Sequence, residues 1–239
     1  MLCHAQKCIF VHIPKTAGQS IERAFLELAG TTWEQRAPFL LRYNGDPNLG
    51  PPRLAHLTAD DYIRFGHVTE DEYRSYYKFA FVRDPWARAI SLYKQLKYES
   101  KCDFKSFIGT HLKQLFDEMY WFVRPQADFI YSSNDELLVD FVGRFERLQT
   151  DFDQVCQRLN ISPRVLPSSN KSQHRINVKL TARWLVHMAQ VNRLSAFKTF
   201  VSYAQYYDAE TEQAVREIYN RDVRLLGYER SSVLRAGGK

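Results

Sequence analysis

Short apolar runs alternate along the chain with segments whose apolar residues recur at helical spacing. The run from Cys8 to Ile13 is apolar at every position except His12, as expected for a strand that is buried on both faces of a parallel sheet. After Gln19, apolar side chains recur at helical spacing until Gly30, a typical stop signal. The pattern therefore predicts a strand, a short loop and a helix in succession.

A second unit of the same kind begins at Tyr77. The segment from Tyr77 to Arg83 has the composition of a strand, and it leads directly into Asp84 and Pro85. Aspartate is a common N-cap and proline suits the first helical position, so these two residues predict the start of a helix. This helix is expected to continue to Lys97.

The rest of the chain predicts further helices and another strand. These elements are a helix starting at Asp103, a strand in the middle of segment 137–146, a helix ending near Asn160, a helix around Trp184, Met188 and Val191, and a last helix between the N-cap Asp208 and Gly227. Strands that alternate with helices predict an α/β fold with a central parallel sheet and helices on both faces. Residues 1–239 are expected to form a single domain, with a surface loop at 44–52 and an atypical helical segment near 175–202.

The composition favours a protein that binds anions. Lys and Arg number 33 against 27 Asp and Glu, a formal net charge of +6, which suits anionic ligands without requiring a nucleic acid. No segment approaches the roughly 20 apolar residues of a membrane span, and no signal peptide is recognised, so a cytoplasmic location is expected. The 4 cysteines lack disulfide or metal-ligand spacing and are expected to be free thiols, and no metal site is predicted.

The loop of the first unit, HIPKTAGQS, has the position of an anion-binding site but not the usual sequence of one. Ligands of parallel α/β sheets bind beyond the carboxyl ends of the strands, and this loop offers a helix N-terminus together with Lys15, Thr16 and Ser20. In the usual phosphate loop, G-x-x-x-x-G-K-[ST], the lysine follows the last glycine. Here Lys15 precedes Gly18 by three residues, unlike a triphosphate site that holds Mg²⁺ through the residue after the lysine.

The second unit carries another pair of residues suited to an anion. Arg83 stands at the carboxyl end of the predicted strand, and Ser91 follows eight residues later. Eight residues correspond to a little over two helical turns, so Ser91 faces the same general way as the first turn and can act with Arg83 on one ligand. Two anion sites at one sheet edge predict a ligand with two separated anionic groups.

These two motifs resemble those of a known enzyme family. IFVHIPKTAGQS and FAFVRDPWARAISLY are similar to the cofactor-binding motifs of sulfotransferases that use 3′-phosphoadenosine 5′-phosphosulfate (PAPS), especially Golgi-type carbohydrate sulfotransferases and the bacterial relatives of heparan sulfate 2-O- and chondroitin sulfotransferases. The similarity continues through IRFGHV, VDFVGRFERL, LPSSNKS and YYDAETEQAVREIYNRDVRLLGY and covers most of the chain. It implies a three-layer, P-loop-like α/β fold and transfer of a sulfuryl group to a hydroxyl of a glycan or polysaccharide.

The resemblance also implies roles for individual residues. Lys15 is expected at the oxygen that bridges sulfur and phosphorus, within a loop that holds the 5′-phosphosulfate through Thr16, Ala17, Gly18, Gln19 and Ser20. Arg83 and Ser91 are expected to hold the 3′-phosphate, and the product is adenosine 3′,5′-bisphosphate (PAP). A sulfuryl group in transfer carries less charge than a phosphoryl group, so no metal is expected.

A histidine is the expected base for the acceptor hydroxyl. His67 in RFGHVTEDEY matches the GHV segment that carries the catalytic histidine in the heparan sulfate 2-O-sulfotransferase type, so it is the first choice. His56 in RLAHLTADDY matches an H-x-T-A segment of bacterial members, which implies a catalytic, positioning or substrate-binding role. His12, inside the first strand, is expected to be a packed or orienting residue.

Two other functions stay open at the level of the sequence. A phosphate-loop kinase and a non-catalytic module for polyanions are compatible with the loop and with the positive charge respectively. The position of Lys15 and the pairing of Arg83 with Ser91 disfavour the kinase. The sequence does not specify the acceptor, the sulfated position or the oligomeric state, and no family role is assigned to residues 175–202.

Overall fold

The computed structural model describes residues 1–167 and 203–228 of the chain. The helix expected around residues 184–191, and the atypical segment 175–202 as a whole, lie outside the described residues. Among the helices of the two described ranges, none combines the length and the apolar composition that a membrane span requires.

A four-stranded sheet forms the centre of the described structure, with its strands in chain order. The strands are β1 (Leu2–Cys3), β2 (Cys8–Val11), β3 (Tyr77–Val82) and β4 (Phe141–Arg144). β1 pairs antiparallel with β2, whereas β2, β3 and β4 run parallel to one another. The three parallel strands therefore end at the same edge of the sheet, where both predicted anion-binding loops begin.

Helices connect the strands and cover the sheet. In chain order they are α1 (Gly18–Leu28), α2 (Asp61–Arg64), α3 (Glu70–Ser75), α4 (Pro85–Gln95), α5 (Phe104–Ser106), α6 (Leu112–Glu118), α7 (Tyr120–Val123), α8 (Ala127–Ile130), α9 (Leu148–Arg158), α10 (Ala209–Ile218) and α11 (Asn220–Leu226). A π-helical segment (Phe107–His111) joins α5 to α6, and short 3₁₀ helices cover Ala37–Phe39, Pro47–Leu49, Leu54–His56, Tyr98–Ser100, Phe145–Arg147 and Tyr203–Tyr206.

Alternate residues of the parallel strands enter two different hydrophobic clusters. On β2, Ile9 and Val11 belong to one cluster, and Cys8 and Phe10 belong to the other. The first cluster contains buried residues of α4, α6 and α10, whereas the second contains those of α1 and α9. Successive strand residues point to opposite faces of a sheet, so this sheet lies between two helical layers. The predicted α/β fold with helices on both faces is confirmed, with a short antiparallel edge strand in addition.

Three predicted elements have different limits in the structure. β2 ends before Ile13, where the hydroxyl of Thr16 donates to the Ile13 carbonyl at 2.9 Å and the chain turns. The helix expected from Asp103 contains a π-helical segment. The last predicted helix is divided at Tyr219, whose buried hydroxyl donates to the carbonyl of Val123 at 3.1 Å. In the last case a tertiary contact interrupts a regular sequence pattern.

Candidate active site

The loop between β2 and α1 forms a compact turn. Lys15 and Ala17 adopt left-handed backbone conformations, with φ of 74° and 70°, which cost a residue other than glycine about 1–2 kcal/mol each. Thr16, which is fully buried, closes the turn through its bond to Ile13. No side chain of the described residues caps α1, and the first-turn N–H groups of such a helix can bind an anion. The backbone of this loop is therefore suited to a phosphate or sulfate group.

Two arginines from the β3–α4 unit hold the carbonyl groups of this loop. The fully buried guanidinium of Arg88 donates to the carbonyl of Pro14 at 3.0 Å. Arg83 donates to the carbonyl of Lys15 at 3.3 Å. A trans peptide places its C=O and N–H groups on opposite sides, so these contacts turn the N–H groups of Lys15 and Thr16 away from the arginines. The two predicted loops are thus in direct contact.

The ammonium group of Lys15 reaches the end of α4. Its Nζ donates to Oε1 of Gln95 at 2.8 Å. Ser91 lies one turn before Gln95, on the same side of the helix, and is half-buried. Burial, and then the nearby charge of Arg83, lower the pKa of Lys15 to about 8. An anion bound against both side chains would relieve the repulsion between them.

Residues that are distant in sequence set the position of Arg83. The side-chain amide of Gln126 accepts from the N–H of Arg83 at 2.8 Å and donates to its carbonyl at 2.7 Å. Gln126 in turn donates to the buried carboxylate of Asp222 at 3.2 Å. The guanidinium of Arg83 lies 4.2 Å from the centre of the Phe145 ring. The end of β3 is therefore held by α11 and by the segment after β4.

His12, Glu22 and His56 form a buried cluster next to the start of α1. Nδ1 of His12 is 2.5 Å from Oε1 of Glu22. The His12 ring also covers Gly18, where an added Cβ atom would lie 2.0 Å from the Cδ2 and Nε2 atoms of the ring. The rings of His12 and His56 meet edge to face, with their centroids 4.6 Å apart. The cluster thus connects the first turn of α1 with His56.

The two ring nitrogens of His56 have different roles. Nδ1 lies 2.9 Å from the carbonyl oxygen of His12, and because a carbonyl only accepts hydrogen bonds, Nδ1 carries the hydrogen and Nε2 the lone pair. The rings of Trp121 and Phe122 pack at centroid distances of 5.7 and 5.9 Å. Burial, followed by the influence of His12, lowers the pKa of His56 well below 6.5. At neutral pH this side chain is a neutral imidazole that can accept a proton.

A cleft that is open to solvent lies beside this cluster. His12, Gln19, Glu22 and His56 contribute to its lining. Gln19 belongs to the first turn of α1, so the cleft begins where the predicted anion-binding loop ends. Lys15 contacts α4 instead. The loop therefore borders two regions, one toward α4 and one toward the cleft.

His67 has a different environment. Its Nε2 lies 2.8 Å from the carbonyl oxygen of Leu49, so this nitrogen donates to the 3₁₀ segment Pro47–Leu49. The residue is half-buried and follows Gly66, which has a left-handed φ of 67°. Among the described residues that line the cleft, His67 does not occur. Its hydrogen bond instead attaches the loop at residues 44–52, which was expected at the surface, to the segment before α3.

Most of the predicted site residues meet at one edge of the sheet. Lys15, Thr16, Ala17, Gly18, Gln19 and Ser20 form the loop and the first turn of α1, and Arg83 and Ser91 belong to the adjoining β3–α4 unit. The hydroxyl of Ser20 donates to the carbonyl of Pro167 at 2.8 Å. His56 is connected to the loop through His12, whereas His67 contacts a separate loop.

The sequence did not predict several residues that support the candidate site. Glu22, Gln95, Arg88 and Gln126 each hold a residue of the candidate site. Arg88 offers one signal, since it is a charged residue between the apolar Ala87 and Ala89 of a helix. Gln126 offers no signal, because its bonds to Arg83 span 43 residues. All four cysteines are free thiols, and within the described ranges no group of three or more His, Cys, Asp or Glu side chains is arranged to hold a metal ion.

Comparison with known proteins identifies the family to which this chain belongs. The family model described as "Sulfotransferase family" matches residues 1–229, which is most of the chain. The matched range contains the loop with Lys15, the β3–α4 unit with Arg83 and Ser91, and both candidate bases. Searches among curated proteins and among solved structures returned no significant match. Because the match extends over nearly the whole length, the chain belongs to the sulfotransferase family and the protein is a sulfotransferase.

Proposed function

We propose that this sulfotransferase moves a sulfuryl group from PAPS to a hydroxyl of a carbohydrate acceptor by in-line displacement. The observation that carries the proposal is that two cationic residues from two separate loops, Lys15 and Arg83, lie together at one sheet edge, where the guanidinium of Arg83 donates to the backbone carbonyl of Lys15. Their repulsion contributes to the lowered pKa of Lys15. A donor with two separated anionic groups, of which PAPS is an example, would bind both and neutralise this charge.

The residues present fit the two charged ends of PAPS. The first turn of α1, with residues 16–20, is proposed to bind the 5′-phosphosulfate through its N–H groups. Arg83 and Ser91 are proposed to bind the 3′-phosphate. PAPS, when bound, would supply the activated sulfuryl group, and PAP would be released. The proposal includes no metal ion.

Lys15 is proposed to stabilise the charge on the bridging oxygen as the bond from sulfur to that oxygen breaks. Its hydrogen bond to Gln95 holds the ammonium group in place, and a pKa of about 8 leaves it mostly protonated at neutral pH. A preorganised cation at this point acts mainly in the transition state. Removing such a group typically costs roughly 3–4 kcal/mol, or about a hundredfold or more in rate.

His56 is proposed as the base that takes the proton of the acceptor hydroxyl. It lines the cleft, its Nε2 carries the lone pair, and His12 connects it to Gly18 at the start of α1. An acceptor in the cleft would thus have its hydroxyl between the base and the proposed sulfuryl position. His67 remains the alternative base, on the strength of its GHV segment.

The donor is tested by ligand-induced stabilisation and by transfer of labelled sulfate. PAP at 100 times its Kd is expected to raise the unfolding free energy by about 2.7 kcal/mol, whereas ATP with Mg²⁺ is not. Lys15→Met is expected to lower kcat about a hundredfold or more. Lys7→Met is the matched control, because Lys7 is an exposed lysine with a left-handed φ of 46° at the other end of β2. Stabilisation by ATP with Mg²⁺ and not by PAP would contradict the proposal.

The base is tested by two substitutions that each keep the observed hydrogen bond. His56→Asn retains a donor for the His12 carbonyl but lacks Nε2, and it is expected to lower kcat by about 10²–10⁴ without weakening PAP binding. His67→Gln retains a donor for the Leu49 carbonyl, and kcat is expected to stay within a few-fold of the wild type. If the effects of the two variants are reversed, the base is His67.

Membership of an enzyme family that transfers sulfuryl groups argues against the kinase and against the non-catalytic polyanion-binding module. The carbohydrate nature of the acceptor and the cytoplasmic location stay predictions. A screen of glycans and polysaccharides with labelled PAPS directly tests whether the acceptor is a carbohydrate.

A further inference from the structure

The antiparallel strand pair at the edge of the sheet brings two cysteines together. Cys3 of β1 lies directly opposite Cys8 of β2, and both side chains enter the same hydrophobic cluster. Directly opposite residues of antiparallel strands have Cα atoms about 4.5–5.5 Å apart, within the range of about 4.4–6.8 Å that a disulfide spans. A bond between the two sulfur atoms therefore needs no large movement of the backbone.

Both thiols are buried, but they adjoin an exposed turn. Cys3 is 1% exposed and Cys8 is 0% exposed. The thiol of Cys3 donates to Oε1 of Gln6 at 2.7 Å, and Gln6 belongs to the turn of residues 4–7, which is largely exposed. β1 contains only two residues, and a strand with so few hydrogen bonds at the edge of a sheet opens locally at low cost. Such an opening gives a small oxidant access to Cys3.

The two thiols differ in acidity. The Cys8 thiol donates to the sulfur of Cys3, and this contact lowers the pKa of Cys3 against the opposing effect of burial. The same contact, together with burial, raises the pKa of Cys8. Because the thiolate is the reactive form of cysteine, Cys3 is suited to be the nucleophile and Cys8 the thiol that resolves the product.

We propose that Cys3 and Cys8 form an oxidation site, at which a hydroperoxide converts the two thiols into a reversible disulfide across the β1–β2 hairpin. The Cys3 thiolate attacks one oxygen of the hydroperoxide. The S–O bond forms, the O–O bond breaks, and an alkoxide or hydroxide leaves. Cys3 is then a sulfenic acid.

In the second step the sulfur of Cys8 attacks the sulfur of the Cys3 sulfenic acid. The S–S bond forms, the S–O bond breaks, and the departing hydroxide takes the proton of Cys8 and leaves as water. The two cysteines lose two electrons in total, and the hydroperoxide gains them. A dithiol such as dithiothreitol reverses the change by thiol–disulfide exchange.

The site lies away from the residues that are proposed to bind PAPS. Cys8 begins β2, whereas the β2–α1 loop follows its other end at Val11. The disulfide would fix the short β1 to β2 and is expected to leave PAP affinity unchanged. The inference is therefore independent of the proposed function, and each can fail without the other.

Oxidation of the whole protein by hydrogen peroxide tests the site. Thiols are counted after denaturation, and the bond is located by peptide mapping. The wild type is expected to lose two of its four free thiols, to show a peptide linked through Cys3 and Cys8, and to recover both thiols with dithiothreitol. Retention of all four thiols, or loss of thiols without this linkage, would overturn the proposal.

Substitutions separate the roles of the two cysteines. Cys8→Ser keeps an O–H donor for the sulfur of Cys3, and a sulfenic acid is expected to accumulate at Cys3, where dimedone traps it. In Cys3→Ser, the sulfur of Cys8 is expected to be oxidised about tenfold or more slowly than that of Cys3, since each unit of pKa changes the thiolate fraction about tenfold. Equal rates for the two single thiols would contradict the assigned roles.

Cys102→Ser is the matched control, because Cys102 is only partly buried and lies outside the hairpin. This variant is expected to form the linkage between Cys3 and Cys8 at the rate of the wild type. If peroxide oxidises Cys102 of the wild type before Cys3, exposure determines the reaction and the proposed site is wrong.

Discussion

At the scale of single residues, the β2–α1 loop (residues 12–17), which is proposed to bind the donor and is called the donor loop below, combines backbone strain with desolvated charge. Lys15 and Ala17 occupy left-handed conformations, and the ring of His12 leaves no room for a side chain at Gly18. Such conformations persist only where the surrounding structure enforces them. The buried contact from Arg88 to the loop backbone is one source of that constraint.

The lowered pKa of Lys15 predicts the pH dependence of donor use. As the pH rises through about 8, the free enzyme loses the ammonium charge. The kcat/KM for PAPS is therefore expected to fall above that pH, approaching about tenfold per pH unit. Lys15→Arg keeps its charge and is expected to give a flat profile over the same range. A wild-type profile that is flat between roughly pH 7 and 10 would contradict this assignment.

Gly18→Ala tests the close contact between the loop and His12. The new Cβ atom would lie 2.0 Å from the ring, so the substitution is expected to cost about 1–3 kcal/mol of stability. Urea unfolding measures this cost, and combining Gly18→Ala with His12→Ala is expected to recover part of it. The control is Gly109→Ala, at an exposed helical glycine with nothing within 4 Å of the added atom. This substitution is expected to raise the unfolding free energy by about 0.5–1 kcal/mol. Equal effects at both glycines would argue against a steric cause.

At the scale of elements, one buried arginine connects α4 with two other parts of the structure. Arg88 donates to Pro14 in the donor loop at 3.0 Å, and to the carbonyls of Phe122 and Arg124 at 3.3 and 3.0 Å. It therefore attaches the loop and the end of α7 to the same face of α4. Since Phe122 also packs on His56, this connection supports both the donor loop and the proposed base.

Arg88→Met is expected to destabilise the protein strongly. The substitution leaves three carbonyl groups without their donor, and each buried group that loses a partner costs about 1–3 kcal/mol, so a total of about 3 kcal/mol or more is expected. Chemical denaturation provides the measurement. Arg74→Ala removes an exposed pair with Glu70 and is expected to cost less than about 0.5 kcal/mol. A comparable loss for the two variants would show that the buried contacts of Arg88 contribute little.

At the scale of the whole molecule, His56 is expected to make stability depend on pH. Its pKa in the folded state lies well below the usual 6.5, so the unfolded chain binds more protons between those two values. The stabilisation that neutral His56 gives to the folded state is complete above pH 6.5. It is lost as the pH falls, and the unfolding free energy decreases by no more than about 1.4 kcal/mol per pH unit. Unfolding free energies of wild type and His56→Asn measure it. If both lose stability equally below pH 6.5, His56 is not the source.

Much of the fold could be predicted because its central elements depend on local patterns. A parallel strand such as β2 is a continuous apolar run, and Asp84 with Pro85 specifies a helix start in two residues. The division of the last helix at Tyr219 was not predictable, since it accompanies a bond to Val123, 96 residues away. The same limit applies to Arg83, whose backbone partner Gln126 precedes α8 and is 43 residues away in sequence.

The sequence by itself determined the two strand-loop-helix units and the sheet edge at which they meet, because spacing and composition are local properties. Only the tertiary structure decided that His56 lies beside His12 and Gly18, and that His67 contacts the loop before α2. It alone also gathered Arg36, Arg42 and Arg53 around the cleft beside His56. The physical reason is that these arrangements depend on how helices and loops pack across the sheet. The neighbours of these histidines and arginines in the sequence are equally compatible with a solvated surface.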